Sequence, residues 1–102
     1  MNKKYAAEYF YNKFAAIPDN EWTTEVYFRP EDNAYCALGH CGCTDLGDSE
    51  ESLTLECLFL GSDLFVSVPS INDGTEGTSD LGDTPKERIL NALTLISAEL
   101  DI

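Results

Sequence analysis

Two apolar stripes of helical period, at opposite ends of the chain, set the frame for any fold it can adopt. Ala6, Phe10, Phe14 and Ile17 recur at i, i+4, i+8 and i+11, Tyr5 and Tyr9 widen the stripe, and Pro18-Asp19-Asn20 ends it. Ile89, Leu93, Ile96 and Leu100, with Leu90 beside them, make the second stripe. Its start is marked by Thr84-Pro85-Lys86-Glu87, where Thr84 is the N-cap, Pro85 sits at the first helical position and Glu87 completes a Thr-x-x-Glu capping box. The spacing predicts helices over 3–17 and from Pro85 to about Leu100. Neither helix can shield its stripe alone, so both must pack on what lies between them. With 102 residues, 43% of them hydrophobic and 11% aromatic, the chain can bury one core and build one domain over 1–102.

The segment between the helices is harder to read. Trp22 to Arg29 alternates, with Trp22, Thr24, Val26 and Phe28 on one side, which predicts a half-buried strand or extended segment. Pro30-Glu31-Asp32-Asn33 is a turn. Residues 34–42 read as a short helix with Asn33 as N-cap and Gly42 just past its end; Cys36 and His40 would then share a side at i, i+4. Residues 49–60 fit a helix opened by Ser49-Glu50-Glu51, with Leu53, Cys57 and Leu60 on one face and Gly61 closing it. The same residues also fit a strand, because Leu53, Leu55, Cys57 and Phe59 alternate. Residues 64–68 read as a strand and Pro69 to Asp83 as a long loop, in which Asn72-Asp73-Gly74 makes a turn.

The charge is concentrated in this middle. The chain carries 19 acidic residues against 6 basic ones, a net charge of −13, and residues 31–85 hold 12 of the acidic residues and no Lys or Arg. Such a field opposes direct binding to a phosphate backbone and to an anionic membrane, and it favours a basic partner. Acidic loops also serve solubility alone. No segment reaches the roughly 18 apolar residues of a membrane helix. Glu8, Asn12 and Lys13 interrupt the N-terminal apolar residues, so the start does not read as a secretory signal. The four cysteines are accordingly expected as reduced thiols in a cytoplasm.

The densest cluster of reactive side chains is Cys36-x3-His40-Cys41-x-Cys43. As a zinc site, Cys36, His40, Cys41 and Cys43 are weak candidates, because four ligands within eight residues cannot easily fold around one ion; no metal and no cofactor is expected. As a nucleophile, Cys36 would gain from a helix N-terminus, with His40 as base and Asn72 or Asp73 as orienting partner. The acidic surroundings act against that thiolate, and a base one helical turn away lies beside the thiol rather than across from it. The bland alternative makes Cys36 and Cys57 small buried hydrophobes and His40 a structural residue. The acidic spacings at Asp45-x2-Asp48-x-Glu50 and Asp73-x2-Glu76-x3-Asp80 do not match a calcium loop.

Cys36-Ala37-Leu38-Gly39-His40, Ile71-Asn72-Asp73-Gly74 and Pro85-Lys86-Glu87-Arg88-Ile89 follow one another in an order that resembles a family of short, mostly helical bacteriophage and bacterial proteins with no assigned activity. The resemblance implies a phage or mobile-element context and no particular chemistry. Cys41, Cys43 and the long acidic loop depart from the family's pattern.

Together these readings predict a single α+β domain, mostly helical, whose long terminal helices pack on short central elements. The function expected first is a non-enzymatic interaction protein in a host cytoplasm. Its acidic surface, built from Asp45, Asp48, Glu50, Glu51, Glu76, Asp80 and Asp83, would engage a basic host or defence protein by mimicking nucleic-acid charge. The alternative is a cysteine-dependent enzyme or small-ligand binder centred on Cys36, His40, Asn72 and Asp73, which requires those four to converge in one concave site.

Overall fold

A computed structural model describes residues 2–44, 46–75 and 77–100. The order is α1 (Lys3–Ala15), β1 (Phe28–Arg29), β2 (Ala34–Tyr35), α2 (Ala37–His40), α3 (Glu50–Leu60), α4 (Val68–Asp73) and α5 (Pro85–Leu100), with short 3-10 turns at Asp19–Glu21 and Ser79–Leu81. The fold is α+β and mostly helical, and the two terminal helices pack against each other and on the core. None of the described helices is long and apolar enough to cross a membrane.

Both terminal helices form where the stripes place them. In α1 the buried face is Ala6, Ala7, Phe10 and Phe14, and the Asn2 side chain accepts the Tyr5 N–H at the N-terminus. Tyr5 and Tyr9 do not widen that face; both are exposed. In α5, Ile89, Ala92, Leu93 and Ile96 are buried, Leu90 and Leu100 are partly buried against the core, and the Thr84 hydroxyl accepts the Glu87 N–H at 3.1 Å. Phe10 stacks on Phe14, and Phe14 meets Trp22 edge-on with ring centroids 5.4 Å apart, which carries the core from the helices to the central segment.

Residues 49–60 form a helix, but a different face is buried. Leu55, Leu58 and Phe59 point inward with Ser52, while Leu53, Cys57 and Leu60 are exposed. Both stripes have helical spacing. The one containing Phe59 removes more apolar area from water, and Ser52 enters at little cost because it shares a reciprocal cap with Ser49.

The middle differs most from its sequence reading. The alternation over 22–29 yields only the two-residue β1, because Glu25 takes a left-handed φ of 70° that breaks the strand. Trp22 and Thr23 are consequently both buried, whereas Val26 and Phe28 are exposed. β1 pairs antiparallel with β2 in the register Phe28↔Tyr35, and Trp22 bridges Tyr35 from the other side. Residues 34 and 35 are strand, so the short helix starts only at Ala37. Its N-cap is Cys36 rather than Asn33, which instead takes a left-handed φ of 55° in the turn. The strand expected over 64–68 does not form: 64–67 are irregular, Val68 opens α4, and the rest of α4 lies in the expected long loop. Ser67 caps this helix, Pro69 lies in its first turn and Gly74 ends it at a left-handed φ of 74°.

Candidate binding groove

The Asn72 amide organises the central segment. Asn72 is 1% exposed, and its Oδ1 accepts the Ala37 N–H at 3.0 Å, satisfying a free donor at the start of α2. Its Nδ2 donates to the Thr23 carbonyl at 2.9 Å and to Asp73 Oδ1 at 3.0 Å. Asp73 Oδ1 in turn accepts the Glu25 N–H at 3.1 Å. This bond supports the left-handed turn at Glu25, a conformation that a glutamate does not favour alone.

From the opposite side, the buried Arg88 of α5 anchors the end of α4. It donates to the carbonyls of Ile71 at 3.0 Å, Asn72 at 2.7 Å and Gly82 at 3.1 Å. A cation there complements the negative end of a helix and satisfies carbonyls that lack an intrahelical partner.

Around this scaffold lies an open groove of about 1090 Å³. One wall is aromatic: Phe28 and Tyr35 have ring centroids 4.7 Å apart, and Tyr35 and His40 are 5.2 Å apart. Tyr27, Cys36, Gly39 and Cys43 form the floor, and Val26 and Leu46 stand on the rim. Glu25 and Asp73 contribute carboxylates, and none of the described lining residues is Lys or Arg. Gly39 allows the close packing beneath: a Cβ there would stand 2.0 Å from the Tyr27 carbonyl oxygen.

Of the residues singled out for cysteine chemistry, Cys36, His40 and Asp73 line this one groove, whereas Asn72 is buried outside its lining and reaches it only through Asp73. The Cys36 and His40 side chains are occupied otherwise than a nucleophile requires. Cys36 is 7% exposed, and its sulfur accepts the Gly39 N–H at 3.4 Å. Burial pushes its thiol above the ordinary range despite the helix N–H groups that favour the thiolate. The His40 Nε2 lies 2.9 Å from the Glu21 carbonyl oxygen, to which it donates, and burial lowers its pKa below 6.5. Its ring packs on Trp22 at 4.8 Å.

Cys41 and Cys43 are equally unsuited to act as ligands or nucleophiles. Cys41 is buried, and its pKa is pushed up to about 12 by desolvation first and by Glu51 second. The Cys43 thiol donates to Asp48 at 3.4 Å, and burial together with that carboxylate pushes it up. The adjacent Cys43 sulfur holds the Tyr27 phenol above its ordinary range. Among the described residues, no three His, Cys, Asp or Glu side chains are grouped to hold a metal ion. Of the candidates, Cys36 accepts from Gly39, His40 donates to Glu21, Cys43 donates to Asp48, and Cys41 is buried. Cys57 is exposed on α3 and is not a core residue.

The acidic residues divide into distinct environments. Asp48 adjoins the groove through Cys43, Glu50 is exposed in the first turn of α3, and Asp80 and Asp83 are exposed on the approach to α5. Glu51 is not free surface charge: it accepts from Lys13 Nζ at 2.6 Å and from the Tyr9 hydroxyl at 3.0 Å. Asp45 and Glu76 lie outside the described residues. The sequence reading missed Glu25, Tyr27, Phe28 and Tyr35 as groove residues. The strand pattern puts Glu25 and Tyr27 on the face opposite Phe28, the helical reading of 34–42 removes Tyr35 from that segment, and a glutamate gives no signal for positive φ.

The chain matches no family model, no curated protein and no solved structure.

Proposed function

We propose that this chain is a small acidic interaction protein that binds a basic surface of a partner protein through the region 31–85 and the adjoining groove. One observation carries this reading. A wide groove with an aromatic wall, carboxylates and no Lys or Arg among its described lining residues opens beside a stretch of chain, 31–85, that contains no Lys or Arg. The two elements suit binding: the apolar wall supplies contact area, and the field steers a cationic partner and sets its orientation. The resemblance to phage and bacterial proteins suggests a host or defence factor as that partner, with phosphate charge as the feature mimicked.

The test is binding of a labelled lysine-rich peptide, followed by fluorescence anisotropy. Affinity is expected to fall about tenfold between about 50 and about 300 mM NaCl, as exposed charges become screened. It should also fall when Asp80 and Asp83 are both changed to Asn. An affinity that stays flat with salt overturns the proposal.

A cysteine-dependent enzyme is the second reading, favoured by the convergence of Cys36, His40 and Asp73 on one groove. It requires a Cys36 thiolate near neutral pH and an imidazole free to take its proton. The burial of Cys36 and the commitment of His40 to Glu21 weigh toward binding.

A further inference from the structure

We infer that the groove is the docking cleft for an extended, arginine-bearing segment of the basic partner, and that it takes a guanidinium against the Phe28 and Tyr35 rings and within reach of the Glu25 and Asp73 carboxylates. This inference rests on the interaction reading above and specifies which side chain the partner presents.

Four observations support it. The Phe28 and Tyr35 rings are tilted 39° to each other at 4.7 Å, and the wall continues through His40. Aromatic faces attract cations, and a planar, weakly hydrated guanidinium stacks on them where a compact ammonium does not. Next, Glu25 and Asp73 both line the groove, the Asp73 carboxylate is held in place by the Glu25 N–H and by Asn72 Nδ2, and none of the described lining residues is Lys or Arg. The nearby Arg29 does not supply a cation there, because both its Nε and its Nη2 donate to Asp32, at 2.8 and 2.5 Å. His40 adds no positive charge near neutral pH, since burial holds it in the neutral form.

Third, Val26, Phe28 and Leu46 are 48, 40 and 99% exposed on or beside the rim, an apolar surface that an adjoining chain would cover. Fourth, the groove is larger than one side chain needs and can hold a short length of backbone with flanking residues. The occupant is therefore a segment of a protein, apolar and cationic at once, rather than a free metal ion or an anionic ligand.

The test uses three fluorescein-labelled peptides of one length: alternating Arg and Leu, the same with Lys for Arg, and the same with Glu for Arg. Each is titrated against the intact chain and against Phe28→Ala and Glu25→Gln, both of exposed side chains, with circular dichroism to confirm the fold. The Arg peptide is expected to bind about fivefold more tightly than the Lys peptide, and each variant to lose about fivefold for the Arg peptide. Equal Arg and Lys affinities that neither variant changes would overturn the guanidinium site while leaving the charge-driven interaction intact. Binding of the Glu peptide as strong as the Arg peptide, or no binding of either cationic peptide, would overturn both readings. A dimer in sedimentation that Phe28→Ala dissociates would assign the groove to a second copy of the chain and overturn the inference.

Discussion

Asn72 Oδ1 accepts the Ala37 N–H at 3.0 Å across 35 positions of sequence, and this bond joins the C-terminal turn of α4 to the N-terminal turn of α2. The same side chain donates to Thr23 and to Asp73, so one buried amide ties together the three segments that surround the groove. Fully satisfied buried polar groups of this kind specify a single arrangement, because every alternative leaves a donor or acceptor without a partner.

Replacing that amide tests the account directly. Asn72→Ala strands the Ala37 N–H and the Thr23 carbonyl and should cost about 2–4 kcal/mol of stability by urea denaturation. Arg88→Ala removes the donors that hold the Ile71 and Asn72 carbonyls and should be similarly costly. Because both side chains act on the same helix end, the double variant should lose less than the sum of the two, by at least about 0.5 kcal/mol. Strict additivity would show that the two anchors act independently.

Gly39→Ala probes the packing beneath the groove. With a Cβ 2.0 Å from the Tyr27 carbonyl oxygen, either α2 or the Tyr27 segment must move. A loss of about 3 kcal/mol is expected, at the upper end for overpacking because the obstacle is backbone. Unchanged stability would mean that the two segments can separate freely.

The thiols should separate by accessibility. In native protein at pH 8, iodoacetamide should modify Cys57 quickly and leave Cys36, Cys41 and Cys43 slow, since these three are buried and shifted away from the thiolate. Mass spectrometry should show one adduct early and four after denaturation. A Cys36 that reacts faster than Cys57 would move the balance toward the enzyme reading.

His40 gives a pH dependence of defined sign. Its folded pKa lies below the ordinary 6.5, chiefly through burial, so the unfolded chain binds the proton first as pH falls. Stability contributed by neutral His40 is present above pH 6.5, is lost as pH drops through that value and levels off below the folded pKa. His40→Gln keeps an N–H donor for Glu21 but does not titrate. The wild-type chain should therefore lose more stability than the variant between pH 7.5 and 5.5, with the carboxylates common to both cancelling. Parallel pH profiles would contradict the burial-driven shift.

Much of the fold could be read locally. The terminal helices follow from Phe10, Phe14, Ile89 and Leu93 at helical spacing and from Thr84-Pro85, because such signals act within a few residues and no distant partner competes with them. The start of α3 at Ser49 is equally local. Its buried face was not: Leu53, Cys57 and Leu60 have the same period as Leu55, Leu58 and Phe59, and only contact with the rest of the core distinguishes the two stripes.

The enzyme reading requires Cys36, His40, Asn72 and Asp73 in one concave site; three of them line the groove and Asn72 does not, and residue types alone do not show that Cys36 is buried or that His40 bonds to Glu21. Sequence alone determined the charge asymmetry, the two stripes and their caps, since these depend on residue identity and short-range spacing. Tertiary structure decided that Glu25 turns left-handed, that α4 replaces a loop and that an aromatic groove opens between them. Each of these rests on bonds from Asn72, Asp73 and Arg88 to residues far away in sequence, where local propensity is silent and buried hydrogen bonding prevails.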